Sequence, residues 1–264
     1  TIFRRLWQPL AVAALNTEVE LGAAVLLARV LRESFGAGGA ACRPLVPREG
    51  LSESLIEPAL TRLAALGAEL RLGSRLRAVD IAGERVATLG FDAGAETLAA
   101  DESIVLAVTA PVAARLLPGL AVPDEFRAIV NAHYRVAAPA DSPLFVGLIG
   151  GAAEWVFRKR EVLSVTISAG DRFIDTPADE LAALLWRDVR RAYELRDATL
   201  PPWQIVKERR ATFAATPAQL RRRPPAATRW ANLALAGDWT ATGLPATIEG
   251  AIRSGFAAAE QLLR

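Results

Sequence analysis

The segment that most restricts the fold lies near the end of the chain. There an apolar run, Asn232-Leu233-Ala234-Leu235-Ala236, meets Gly237-Asp238, then a loop holding Gly243, then Pro245-Ala246-Thr247 and a helix-forming stretch. A buried strand that ends in Gly-Asp puts one carboxylate at its carboxyl end, where open α/β sheets bind ligands and where a ribose- or ribitol-type hydroxyl can be accepted. A helix beginning near Pro245 would turn the unpaired backbone N–H groups of Ala246, Thr247 and Ile248, with the positive helix end, toward the same crevice. Gly250, Ser254 and Ala258 recur every fourth residue, a small face that permits close approach to a ligand or a sheet, while Ile248, Ile252 and Phe256 form an apolar face. Asp238 is therefore the anchor candidate. As an isolated dipeptide Gly-Asp is only a strand-ending turn, and the combination carries the signal.

Composition removes several alternatives. Basic residues number 31 and acidic ones 29, a balance of +2 that is too small for a dedicated nucleic-acid binder. With one cysteine, Cys42, and one histidine, His133, neither an intramolecular disulfide nor a His/Cys metal cluster can be built, and a reducing, cytoplasmic setting is expected. The start, Thr-Ile-Phe-Arg-Arg, lacks the order of a signal peptide, and the longest nearly uncharged apolar stretch, 143–153, is too short to span a bilayer. A chain of 264 residues, 52% hydrophobic, buries a real core as one large domain or two interleaved ones. Methionine is absent, so either the chain is a piece of a longer protein or methionines are missing from its written sequence.

Periodicity orders the rest. Residues 6–35 read as helices stopped by Gly36-Ala37-Gly38-Gly39, and 52–66 as an amphipathic helix with Pro58 early and Gly67 as its stop. Stretches 69–72, 75–81 and 85–89 read as a small meander, and 103–108, lacking polar alternation, as a strand buried on both faces. A helix at 111–117 precedes strands at 126–136, 144–149, 154–158 and 163–168, which favour an antiparallel sheet. Thr176-Pro177 announces a helix with Leu181, Leu184, Leu185, Val189 and Ala192 on one face, the threonine capping it. A strand at 204–210, a helix capped by Thr216, a strand at 232–236 and a helix from about 245 to 263 complete the order. The fold class is α/β with an antiparallel α+β part interleaved.

The stretch Gly237-Asp238-Trp239-Thr240-Ala241-Thr242-Gly243-Leu244-Pro245-Ala246-Thr247-Ile248-Glu249-Gly250-Ala251 resembles the C-terminal flavin-binding segment of the FAD-dependent amine oxidase and phytoene desaturase superfamily. Within it, the chain is most similar to the hydroxysqualene dehydroxylases, also called squalene-associated FAD-dependent desaturases. Leu15-Asn16-Thr17, Pro47-Arg48-Glu49-Gly50-Leu51-Ser52, Gly151-Ala152-Ala153-Glu154-Trp155-Val156-Phe157 and Arg210-Ala211-Thr212-Phe213-Ala214-Ala215-Thr216-Pro217 share the resemblance. It implies a Rossmann-like FAD/NAD(P)-binding flavoprotein fold. Residues 1–43 and 117–205 would form a substrate domain, and 44–116 and 206–264 the FAD domain. It implies FAD as cofactor, with Val79 as a backbone contact beside the adenine and Gly237, Asp238, Ala246, Thr247 and Ile248 at the remainder. The implied reaction is reductive removal of the allylic hydroxyl of hydroxysqualene to give squalene for hopanoid synthesis. A strand, Gly-x-Gly-x-x-Gly turn and helix for the diphosphate has no match here, which points to the C-terminal part of a longer protein.

Further residues are candidates for the proton transfer and for the substrate. His133, Tyr134 and Glu249 are the candidate proton donors, although a lone histidine in a strand is more often structural and Glu249 suits a helix N-terminus. Tyr134, Phe145 and Trp155 are expected to line an apolar isoprenoid cavity that reaches the helix start at Thr247; core packing is the plainer role for Trp155 and Phe157. Arg221-Arg222-Arg223-Pro224-Pro225 and Arg158-Lys159-Arg160 read first as solvated turns, while attraction to anionic lipid suits an enzyme that draws on a membrane-dissolved substrate, so peripheral contact with the inner membrane face stays open. The rival readings are a carotenoid/phytoene-type desaturase or flavin amine oxidase and, from another class, a non-catalytic lipid-binding fragment.

Overall fold

The structure, a computed structural model, describes residues 1–47, 49–195 and 199–263, so Arg48 of the Pro47–Ser52 motif lies outside the described residues. The chain opens with a wide turn at Phe3–Trp7 leading into α1 (Gln8–Leu15), then α2 (Ala24–Glu33) and α3 (Glu57–Ala65). Next come β1 (Leu76–Ala82), β2 (Arg85–Phe91), β3 (Gly94–Thr97), β4 (Ile104–Leu106) and α4 (Ala110–Leu116). The middle holds β5 (Phe126–Arg135), β6 (Phe145–Gly147), β7 (Trp155–Lys159), β8 (Val162–Ile167), α5 (Ala178–Ala192) and β9 (Trp203–Phe213). A single turn, α6 (Pro217–Leu220), then β10 (Leu233–Leu235) and α7 (Ile248–Leu262) end it.

Period-two alternation in β5 and β8 divides the five-stranded antiparallel sheet, order β6-β7-β8-β5-β9, into two unlike faces. Val130, Ala132, Tyr134, Val156, Leu163, Val165 and Ile167 pack against Leu181, Leu185 and Val189 of α5. Their spacing along the helix, four residues apart, sets one apolar stripe on the sheet. A second core joins the parallel pair β4–β10 to α4 and to the antiparallel sheet β1-β2-β3 through Val86, Leu106, Ala113, Leu233 and Leu235. Asn232 stitches these two sheets: its Nδ2 donates to the Val86 carbonyl at 3.0 Å and its Oδ1 accepts from the Val86 N–H at 2.9 Å. Asn16, left-handed at φ 47, ends α1 and ties it to the point where β5 and β9 meet.

Several local expectations change. Residues 69–72 form no strand, because they have no pairing partner beside β1. Pro177, in extended geometry, is the N-cap of α5, so Thr176 does not cap it. Val105 is 43% exposed, since β4 pairs only with β10 and one face of that two-stranded sheet is uncovered. The apolar side chains of α3 are likewise exposed, with no described element packed beneath them. The 205/206 boundary falls inside β9, whose residues pair with β5 as far as Phe213 and so keep 206–213 in the five-stranded sheet.

Candidate functional site

The parallel pair β4–β10 sets the site. Parallel pairing aligns the carboxyl ends of both strands, so the residues after Leu106 and after Leu235 emerge side by side. Gly237 has φ +145, and a Cβ there would collide with the Trp239 indole. That indole is buried and donates through Nε1 to the Val108 carbonyl at 2.8 Å, pinning the turn after β10 to the end of β4. The Gly237 N–H donates to Ser254 Oγ at 2.7 Å, which fixes the same turn to α7. The small face of α7 is thus spent on the sheet: Ala258 packs with Ala234 and Ala236.

Asp238 sits in this turn, and burial pushes its carboxyl above the ordinary range, opposed by the Arg223 charge and by the backbone N–H groups of Trp239 and Asp238. A half-buried carboxylate whose hydrogen-bond donors are backbone groups keeps acceptor capacity for a ligand hydroxyl. The helix starts later than expected, at Ile248, because Thr247 is extended and is the N-cap; its hydroxyl accepts from the Gly250 N–H at 3.0 Å. The free first-turn donors are therefore those of Ile248 and Glu249, the Gly250 N–H being taken by the cap, and Ala246 lies before the helix. A single αR-to-extended change at the cap is not visible in a Pro-Ala-Thr string, which is compatible with either start.

Arg223 corrects a larger expectation. It is no solvated turn residue: 7% exposed, it donates from Nη1 to the Leu244 carbonyl (2.7 Å) and from Nη2 to the Asp238 carbonyl (2.9 Å) and Thr242 Oγ1 (3.0 Å). Its guanidinium lies 4.8 Å from the Phe213 ring centroid, and burial pulls its pKa down to about 10. Val79 lies apart from this cluster, on β1, with its side chain against the core around Leu106 and Leu233.

The antiparallel sheet separates residues that the sequence reading grouped. Tyr134 is fully buried on the α5 face, donates to the Ala182 carbonyl at 2.7 Å and packs 5.0 Å from the Trp186 ring. Fully buried, it lines no open cavity and its hydroxyl is engaged with the core backbone; burial also holds its phenol well above the usual range. Trp155, Thr166 and Asn131 form one row on the opposite face, and Phe145, Phe157, Ser164 and His133 the next. Phe145 lies 6.4 Å from Trp155 and 5.9 Å from Phe157, centroid to centroid. His133 Nδ1 is 2.9 Å from Ser164 Oγ, and burial lowers its pKa. A cavity of about 210 Å³ beside Trp155 is walled by Gln8, Pro9 and Val12 of α1, not by the start of α7. Glu249 pairs with Arg253 at 2.7 Å on the outer side of α7.

A carboxylate at the carboxyl end of a parallel strand beside a helix, in a mixed α/β fold, is the kind of place where open α/β sheets bind ligands. The chain belongs to the family of flavin containing amine oxidoreductases, whose family model matches residues 1–263. It is 53% identical to the hydroxysqualene dehydroxylase of Rhodopseudomonas palustris over 99% of this chain and 63% of that protein. It is 50% identical to that of Sinorhizobium fredii over 100% of this chain and again 63% of the relative. The chain thus spans 63% of the length of these relatives. An oxidoreductase from Methanosarcina mazei shares the fold, with a TM-score of 0.73 at 13% identity over 96% of this chain and 63% of that one.

Proposed function

We propose that this chain is the greater part of an FAD-dependent enzyme that converts hydroxysqualene reductively to squalene. The observation that carries the reading is the 53% identity to a hydroxysqualene dehydroxylase along 99% of the chain. Asp238 and the first turn of α7 fit one part of the cofactor: a carboxylate with spare acceptor capacity for a ribityl hydroxyl, and free N–H donors with a positive helix end for an anionic ring edge. The pair β4–β10 with α7 is then part of a Rossmann-like unit, with Val79 against the adenine half. The diphosphate-binding glycine turn is not in this sequence. Segments 44–116 and 214–264 form the cofactor side, and 1–43 with 117–213 the substrate side.

When bound, reduced flavin supplies the hydride that replaces the hydroxyl. The chain's own task is to hold an apolar substrate, keep water away and protonate the departing oxygen. Phe145, Trp155 and Phe157 offer an aromatic wall, and burying an isoprenoid chain there yields roughly 25 cal/mol per Å². Of the three proton-donor candidates, Tyr134 is sealed under α5, Glu249 is paired with Arg253, and His133 shares the face with the aromatic wall. A substrate of this kind dissolves in membranes, and the reading places the enzyme at the cytoplasmic face of one. No described helix is long and apolar enough to cross it.

The test uses the longest natural polypeptide that contains this chain. Asp238→Ala should cost about 1.5–3 kcal/mol of flavin affinity, the range for a hydrogen bond to a charged group, while the fold persists. The purified wild type should convert hydroxysqualene to squalene and leave phytoene unchanged. Unaltered flavin occupancy in the variant sinks the site, and turnover of phytoene in place of hydroxysqualene sinks the reaction.

A further inference from the structure

We propose that Arg223 is a positioning residue for the cofactor site, its guanidinium holding the 237–244 loop in the shape that presents the Asp238 carboxylate to the flavin. The inference rests on the flavin reading of Asp238 given above.

The geometry is that of a clamp. The three acceptors of Arg223 are spread over the loop, at Asp238, Thr242 and Leu244, and all lie within 3.0 Å of its two terminal nitrogens. Local bonds hold the first half of the loop, where the Thr240 N–H and hydroxyl reach the Gly237 carbonyl at 3.1 and 2.9 Å; Arg223 joins that half to Thr242 and Leu244, beyond which the segment leads to the Thr247 cap. A planar fork can satisfy several divergent carbonyls at once, whereas an ammonium of the same charge cannot span them. The neighbouring backbone reinforces the clamp, since the Ala241 N–H donates to the Pro224 carbonyl at 2.8 Å.

Its burial has an electrostatic consequence. Taking a guanidinium out of water is costly without a compensating charge, and the charge acting on it here is Asp238. The Nε–H has no hydrogen-bond partner among the described residues. The stacking on Phe213, the last residue of β9, connects the loop to the five-stranded sheet, so one side chain links the substrate side to the cofactor side. Arg223 faces Asp238 from the segment before β10. The charged groups of α7 nearby, Glu249 and Arg253, are engaged with each other and with Glu33 on its outer side.

The test compares wild type, Arg223→Gln, Arg223→Lys, Asp238→Asn and the Gln/Asn double variant in the longest natural polypeptide carrying this chain. It reads the flavin Kd by quenching of flavin fluorescence between pH 5 and 8, and the melting temperature without flavin. Both Arg223 variants should bind flavin about 10- to 100-fold more weakly, as when a supporting partner of a ligand group is lost. In Arg223→Gln, affinity should rise with pH as the uncompensated Asp238 ionises. Asp238→Asn should lack that dependence, and the double variant should bind within about 3-fold of it. A purely structural role leaves the pH profile unmoved and adds its loss in full to that of Asp238→Asn, which overturns the inference. So does flavin binding within about 2-fold of wild type, or unfolding of both the Gln and the Lys variant. Wild-type affinity in Asp238→Asn overturns the flavin reading of Asp238 itself.

Discussion

Asn16 is where removing one side chain should cost most for its size. Its Nδ2 donates to Thr212 Oγ1 at 2.8 Å and reaches the Arg127 carbonyl at 3.4 Å, while its Oδ1 accepts from the Ala169 N–H at 2.7 Å. Ala169 is buried, so in Asn16→Ala its N–H is left without an acceptor, a loss of about 1–3 kcal/mol, and the Thr212 hydroxyl loses a donor worth about 1 kcal/mol. The φ of 47 adds about 1–2 kcal/mol for an alanine Cβ in the left-handed region. The sum is about 3–6 kcal/mol. Asn16→Gly escapes the backbone cost and should be about 1–2 kcal/mol milder than Asn16→Ala, the reverse of the usual glycine penalty. Urea unfolding of both variants, read at constant m-value, measures the two numbers. A loss under about 1 kcal/mol for alanine, or a glycine variant less stable than the alanine one, refutes the reasoning.

Burial lowers the folded-state pKa of His133 below its ordinary 6.5, so the unfolded chain binds the proton more readily. Stability should be complete above pH 6.5 and decline as pH falls through the folded pKa. His133→Asn should remove that part of the pH dependence, and an unchanged slope would show that His133 is not its source. The two faces of the five-stranded sheet predict opposite phenotypes. Trp155→Asp should abolish turnover while flavin content stays near wild type, and Tyr134→Phe should lose about 1 kcal/mol of stability with turnover intact. Kinetics on both proteins decide, and loss of activity in Tyr134→Phe contradicts the placement of Tyr134 under α5.

Much of this protein is local and therefore written in the residue order. The periods of two and of about 3.6 place β5, β7, β8 and α5, and Thr216 caps α6 through the Gln219 N–H because cap and donor are three residues apart. The strand, Gly-Asp turn and helix of 232–262 are legible for the same reason. The pleat alone even says that His133 and Tyr134 point to opposite faces. Which face α5 covers is a matter of packing between segments some 50 residues apart, and no local pattern separates Tyr134 from Trp155. Arg223 shows the limit most plainly. Three arginines before two prolines look like solvent, and only the return of the chain at 238–244 supplies the carbonyls, hydroxyl and carboxylate that make burial of one of them tolerable. Exposure of Val105 and of the α3 leucines is equally beyond a sequence pattern, because an apolar run records what a strand or helix can bury, whereas the tertiary structure decides whether anything lies against it.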